Sequence, residues 1–360
     1  MDKIKVLIID DSAVIRNIVN EVLSADSQIE VVGEAKDPFE AREQIKKLQP
    51  DVLTLDVEMP KMDGITFLDN LMRLRPMPVV MLSTLTTKGA DITLQALELG
   101  AVDFIAKPSF ESLLKTKESF KEELLSKVKS AVGVDQKNYS LAKTVMSEVS
   151  QKRLAFTGTK RANHLVAIGA STGGTEAIKH VLYTLPSNSP AIVITQHIPK
   201  TFSARFAERM DEHCAITVQE AQHGQKIKEG NAYIAPGDQH LTVVAKGGTL
   251  FCILVDSEPV NRHKPAVDVL FDSLLPFADN VQAILLTGMG QDGAKGMLAL
   301  KEEGARTIIQ DKNSSLIWGM PGSAHELNAH TEVSGLNKIA KKLLAYAALK
   351  RGKMKEVLDV

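Results

Sequence analysis

Short apolar runs recur along the first part of the chain, each followed by a stretch with helical periodicity. The runs are "IKVLIID", "IEVVGEA", "DVLTLD", "PVVMLS" and "VDFIAK". Between them lie "SAVIRNIVNEVLSA", "PFEAREQIKKLQ" and "ADITLQALELG", in which apolar residues return every three or four positions. Repeated strand-then-helix units predict a five-stranded parallel sheet wound on both faces. The helix-like "FESLLKTKESFKEELLSKVKSAV" closes the unit near residue 132.

From 133 to about 162 polar residues dominate and no strand pattern appears, which predicts a linker. The pattern then restarts. "HLVAIGA", "AIVITQH", "AITVQEA", "NAYIAPG", "VQAILLTG" and "RTIIQD" are candidate strands. "TEAIKHVLYTL", "FSARFAERMDEHC", "AVDVLFDSLLPFA" and "SGLNKIAKKLLAYAALKRG" are candidate helices. "HLTVVAKGGTLFCILVD" places two strands around Lys-Gly-Gly and predicts a β-hairpin. The fold class expected is therefore α/β twice. A parallel N-terminal unit is followed by a larger, mostly parallel, Rossmann-like unit carrying an antiparallel hairpin. The expected boundaries are 1–122, a linker with a helical start at 123–162, a second domain at 163–350, and a polar tail at 351–360.

Composition narrows the class. With 360 residues, 44% hydrophobic and 24% charged, the chain is of globular type and long enough for two domains. A net charge of -1 gives no field for nucleic acid, and no apolar stretch approaches the length that spans a bilayer. Cys214 and Cys252 have no CxxC spacing, and the start shows no signal-peptide pattern. These features favour a cytoplasmic protein without membrane insertion.

In parallel α/β sheets, sites form beyond the carboxyl ends of the strands. The first unit places Asp10 and Asp11, Asp56, Ser83 and Lys107 there. Converging carboxylates repel unless a cation joins them, and Mg²⁺ suits an oxygen-only set that shares phosphate oxygens. Asp11 or Ser12 alone could be a helix cap; the whole set argues for more. "LIIDDSAVIR", "LDVEMPKMDG", "VVMLS" and "AKP" resemble the signatures of a two-component receiver domain of flavodoxin-like fold. The resemblance implies that Asp56 accepts a phosphoryl group from a histidine kinase. It also implies that Asp10, Asp11 and Asp56 hold Mg²⁺, and that Ser83 and Lys107 read the phosphoryl oxygens. Thr84, next to Ser83, is the alternative switch hydroxyl.

In the second unit, "LVAIGASTGG" ends an apolar run in small residues around Ser171. A dinucleotide fingerprint would need glycine where Ser171 stands and an acid where Gln196 and His197 end the next strand. Gly169-Ala170-Ser171-Thr172-Gly173 instead fits G-x-S-x-G between strand and helix, an exposed nucleophile. A hydroxyl needs a base, and among nine histidines His197 alone directly ends a core-type strand. The orienting acid is Asp292 or Asp311, and spacing alone separates them only slightly.

"GASTGG", "QHIPKTFSARFAERM", "IAPGDQHL", "HKPAVDVLF" and "LLTGMGQDGAKGM" resemble the motifs of the chemotaxis protein-glutamate methylesterase family, CheB. The resemblance implies a Ser171, His197, Asp292 triad, with the backbone around Met289 at the oxyanion hole and Thr172 supporting the site. It implies hydrolysis of γ-glutamyl methyl esters on chemoreceptors with release of methanol, deamidation of receptor glutamines, and no cofactor for the esterase step. It further implies that the receiver blocks the hydrolase until Asp56 is phosphorylated. The rivals are an output domain that only binds a partner or DNA, and a nucleotide-dependent enzyme. The absence of a basic patch and helix-turn-helix pattern speaks against the first, and Ser171 with Gln196 against the second.

Overall fold

The computed structural model describes residues 3–108, 113–133, 153–156, 161 and 164–348, with side chains from 118 in the second stretch. The chain divides into two compact units, Met1–Tyr139 and Ser140–Val360.

The first unit is a five-stranded sheet of β1 (Ile4–Ile9), β2 (Ile29–Ala35), β3 (Val52–Asp56), β4 (Val79–Ser83) and β5 (Asp103–Ala106), in the order β2-β1-β3-β4-β5. All four pairings are parallel. Helices α1 (Ala13–Ser24), α2 (Pro38–Leu48), α3 (Gly64–Leu74), α4 (Thr87–Leu99) and α5 (Leu113–Val132) alternate with the strands. Strands buried on both faces read as unbroken apolar runs, and β3 and β4 are buried at every position. Ser12, Asp37, Asp63 and Thr86 cap α1 to α4 through their side chains. The helix α5 continues past residue 122, so the expected boundary falls inside it. The sheet order reverses between β1 and β3, which opens a crevice where Asp10 and Asp56 end their strands.

The second unit holds a seven-stranded sheet of β6 (Leu165–Ala170), β7 (Ala191–Gln196), β8 (Thr217–Glu220), β10 (Asn231–Ile234), β13 (Val281–Leu285), β14 (Arg306–Gln310) and β15 (Glu332–Ser334). Its order is β15-β14-β13-β6-β7-β10-β8, and every pairing is parallel. The hairpin β11 (His240–Lys246) and β12 (Thr249–Val255) forms with the register Lys246↔Thr249 around Gly247 and Gly248, both at positive φ. It joins β9 (Gln225–Lys226) in a separate three-stranded sheet rather than extending the main one.

Helices α6 (Gly174–Tyr183), α7 (Lys200–Asp211), α8 (Val267–Asp272), α9 (Ala294–Glu302), α10 (Met320–Glu326) and α11 (Leu336–Ala348) complete the unit. The stretch "AVDVLFDSLLPFA" is not one helix. α8 stops at Asp272, and a 3₁₀ turn spans Leu275–Asn280 with Phe277 non-helical. Pro276 removes a donor and disfavours the α conformation before it. Tyr233, Phe202 and Phe271 are the bulkiest fully buried side chains. Burying each such side chain contributes about 1.5–3 kcal/mol.

From the expected linker, Leu154 N–H donates to Thr184 C=O (2.8 Å) and Arg161 N–H to Ala347 C=O (3.0 Å), inside the second unit. The rest of the linker after residue 133 and the polar tail lie outside the described residues. Among those described, no helix is long and apolar enough to cross a membrane.

Candidate active site and acidic cluster

The order of the seven-stranded sheet reverses at β6. The chain first builds β7, β10 and β8 to one side, then returns to lay β13, β14 and β15 on the other. The crevice between β6 and β13 is the topological switch point, where side chains from separate loops converge.

Ser171 follows β6 directly. Its N–H donates to Thr287 C=O across the crevice (3.1 Å), and its C=O accepts from Gly174 N–H (2.6 Å) and Gln196 Nε2 (3.0 Å). Gly173, at φ 74°, takes the left-handed conformation that turns the strand into α6. Gly174 leaves the space that the Gln196 amide fills: a Cβ there would stand 2.2 Å from Oε1. Gln196 thus braces the serine turn, the task left for it once nucleotide binding is set aside.

His197 follows β7. The register Ala170↔Gln196 places Ser171 and His197 as the next residues on adjacent strands, and His197 N–H donates to Ala170 C=O (3.2 Å). The His197 side chain is 7% exposed, and its Nε2 lies 2.8 Å from Asp292 Oδ2. A carboxylate only accepts, so Nε2 carries the proton and Nδ1 presents a lone pair. That Nδ1 is buried and has no hydrogen-bond partner.

Asp292 follows β13 and is 1% exposed. Oδ2 also accepts from Val267 N–H (2.6 Å), while Oδ1 accepts from Asn261 Nδ2 (2.7 Å) and Asp268 N–H (3.1 Å). Burial pushes its pKa up, but His197 and these donors outweigh it and hold the carboxyl at about 2. Asp311, the alternative acid, instead binds the Ser314 N–H (2.9 Å) and hydroxyl (2.6 Å) within its own loop. Thr172 is buried, and its C=O accepts from Thr287 Oγ1 (3.0 Å). The loop carrying Met289 backs onto the serine: a Cβ on Gly288 would stand 2.8 Å from Ser171 Cβ.

Two residues stand at this site that sequence pattern did not single out. The ring of His263 stacks on His197 with centroids 3.6 Å apart and planes inclined by 14°. Asn261 Nδ2 bridges Asp292 and Asp268, at 2.7 and 2.8 Å. Both lie in the polar "NRHKP" loop, whose composition reads as surface. The only available hint was that "HKPAVDVLF" is one of the segments carrying the resemblance.

In the first unit, Asp10 and Asp56 are buried and Asp11 is exposed, and carboxylate oxygens of all three lie within 4.8 Å of one another. Lys107 Nζ stands 2.8 Å from Asp10 and 2.7 Å from Asp56. Burial, then the charge of Asp10, push Asp56 up to about 6 against the pull of Lys107. A compact oxygen-only set with its own repulsion fits Mg²⁺. Ser83 is fully buried, and its hydroxyl bonds to Thr93 Oγ1 (2.7 Å) and Gly89 C=O (3.3 Å) on α4. Thr84 Oγ1 bonds to Thr86 Oγ1 (3.3 Å).

Residues 166–343 match the CheB methylesterase family and residues 6–117 the response regulator receiver domain. Over 353 residues the chain is 51% identical to a protein-glutamate methylesterase/protein-glutamine glutaminase 1 of Xanthomonas euvesicatoria pv. vesicatoria, covering 97% of this chain and 98% of that one. The chain belongs to the CheB methylesterase family. A relative of the same printed activity from Hydrogenovibrio crunogenus is 50% identical over 373 residues, covering 96% of this chain and 99% of that one. The crystal structure of the Thermotoga maritima CheB methylesterase catalytic domain aligns at 38% identity with a TM-score of 0.50, covering 52% of this chain and all of that one. The two-unit α/β architecture expected from the sequence is thus a CheB receiver followed by a CheB catalytic domain.

Proposed function

We propose that this CheB-family chain is a phosphorylation-activated hydrolase that removes γ-glutamyl methyl esters from chemoreceptors and deamidates receptor glutamines through Ser171, His197 and Asp292. The observation that carries this reading is the state of His197. One nitrogen is committed to Asp292, while the other is a buried lone pair without a partner, on a residue that follows β7 as Ser171 follows the adjacent β6. A buried acceptor left unpaired is costly, and such exceptions mark sites of chemistry.

Ser171 Oγ attacks the ester carbonyl as His197 Nδ1 takes its proton. The oxyanion is held by backbone amides at the start of α6 and around Met289, with Thr172 supporting the turn. Collapse of the tetrahedral adduct breaks the C–O bond, and the imidazolium protonates the departing methoxide. Water then attacks the acyl-serine and gives a proton to His197. The C–Oγ bond breaks, His197 returns that proton to Ser171 Oγ, and the freed glutamic acid ionises to its carboxylate. With a glutamine substrate the same steps release ammonia. Asp292 keeps the imidazole in one tautomer and stabilises its charged form.

Asp10, Asp11 and Asp56 would hold Mg²⁺, which screens the charge of an incoming phosphoryl group. Asp56 accepts that group from a histidine kinase, and Lys107 and Ser83 bind its oxygens. Ser83 must first leave Thr93 and Gly89, which ties phosphorylation to α4. Phosphorylation lifts a block that the receiver otherwise places on the hydrolase. We assign the receiver to 1–122, a linker whose helical start is the remainder of α5 to 123–162, the catalytic domain to 163–350 and the tail to 351–360, in a cytoplasmic protein.

The test is methanol release from methylated receptor membranes, with and without a small phosphodonor and Mg²⁺. The wild type is expected to release methanol faster with the donor, and Ser171→Ala to release none. Turnover retained by Ser171→Ala would remove Ser171 from its role.

A further inference from the structure

Resting on the hydrolase reading of the same site, we propose that Asn261 and His263, carried on one strained turn, are positioning residues that lock Asp292 and His197. Neither works by touching substrate.

The loop between β12 and α8 is held at its base and tip. At the base, buried His240 accepts from Ala266 N–H at Nδ1 (3.1 Å), so Nε2 must donate to Glu258 C=O (3.1 Å). At the tip, Val260 and His263 exchange backbone hydrogen bonds (3.1 and 2.9 Å) around Asn261 and Arg262. Both central residues have positive φ, 52° and 69°. This is the two-residue turn in which Asn-Gly is the favoured pair. Asn261 suits its place, whereas Arg262 occupies the glycine position with a side chain that disfavours it. Strain of this kind persists where the surroundings over-determine it, and it concentrates at functional sites.

The turn delivers two side chains. Asn261 has two amide protons and spends them on Asp268 Oδ2 and Asp292 Oδ1, so a neutral group separates two buried carboxylates that would otherwise face each other. With Asp268 N–H on the same oxygen, the Asp292 carboxylate has no rotational freedom left. His263 lies flat on His197 at 3.6 Å. A ring in that place blocks rotation of the His197 imidazole, the motion that would break its bond to Asp292 and displace Nδ1. The turn fixes the base through one contact and the acid through the other.

The test uses full-length variants and two readouts: kcat and KM for methanol release from receptor membranes, and the rate of Ser171 labelling by a fluorophosphonate. His263→Ala is expected to lower kcat and the labelling rate together by about tenfold or more, with KM within about threefold. His263→Phe, which keeps a flat ring, should recover most of the loss. Asn261→Ala should resemble His263→Ala. If His263→Ala does not fold, His263→Gln and Asn261→Ser provide the same comparison with smaller changes.

An unchanged kcat in folded His263→Ala and Asn261→Ala overturns the proposal. So does a loss confined to KM, or a His263→Phe variant as slow as His263→Ala. Ser171→Ala separates the two levels: if it retains turnover the hydrolase reading itself fails, whereas if it is dead and the loop variants are fully active only the positioning role fails.

Discussion

Asp292 accepts four hydrogen bonds from four residues, and one of them is His197, the proposed base. A depressed carboxyl pKa means that the anion persists well below neutrality, so an imidazolium formed at His197 in the proposed mechanism would meet a charged partner. Asp292→Asn replaces an acceptor with an amide and reverses the tautomer preference of His197. We expect kcat to fall by roughly 10⁴ with little change in KM. Asp311→Asn should cost far less, because Asp311 serves Ser314 in its own loop; a steady-state comparison of the two variants checks the assignment. Spacing nearly tied these two acids, and only packing parts them. Ser171 was legible because small residues at a strand end leave few other uses for a hydroxyl. His197 was legible because a histidine seldom ends an apolar strand without reason. Asn261 and His263 were not, because their placement depends on left-handed backbone at Arg262, and no residue pattern announces that conformation without glycine.

The serine turn works as an element rather than as a residue. Gly173 supplies the left-handed bend, Gly174 the room for Gln196, and Gly288 the room for the neighbouring loop. Gly174→Ala would drive a methyl group into the Gln196 amide and displace the group that holds Ser171 C=O. Overpacking of this kind costs about 1–3 kcal/mol. We expect a lower thermal midpoint together with a loss of phosphonate labelling larger than that destabilisation explains. Strands such as β3, β4 and β6 were readable because burial on both faces demands unbroken apolar runs. β9, of two residues, and β15, of three, are too short to carry a period, and α8 ends where Pro276 approaches.

At the scale of the molecule, two histidines outside the site contribute to the response to acid. His164 and His180 are each 6% exposed, and both have pKa values lowered to about 4, His180 by burial and His164 by burial followed by the charge of Arg161. The unfolded chain binds protons at these residues below about 6.5, whereas the folded chain resists until about 4. The unfolded state therefore holds more protons in that window, and stability is lost as pH falls through it. The effect is on the order of several kcal/mol for the pair. The thermal midpoint of the catalytic unit should drop between pH 7 and pH 5, and His180→Leu should flatten that slope. In the receiver, Asp56→Asn is expected to abolish stimulation by a phosphodonor while leaving Ser171 reactive to phosphonate, as measured by labelling with and without the donor.

The way the second sheet is wound also sets the order in which the proposed triad is assembled. β6 lies between β7, made soon afterwards, and β13, made much later, and Asp292 arrives only with the latter. A ribosome therefore exposes Ser171 long before Asp292, the proposed orienting acid. On the proposed mechanism, products truncated ahead of β13 carry the hydroxyl without Asp292 and are expected to hydrolyse esters far more slowly than the full chain. The proposed triad is complete only once β13 and the loop after it have been made, and by then the receiver unit has already been translated.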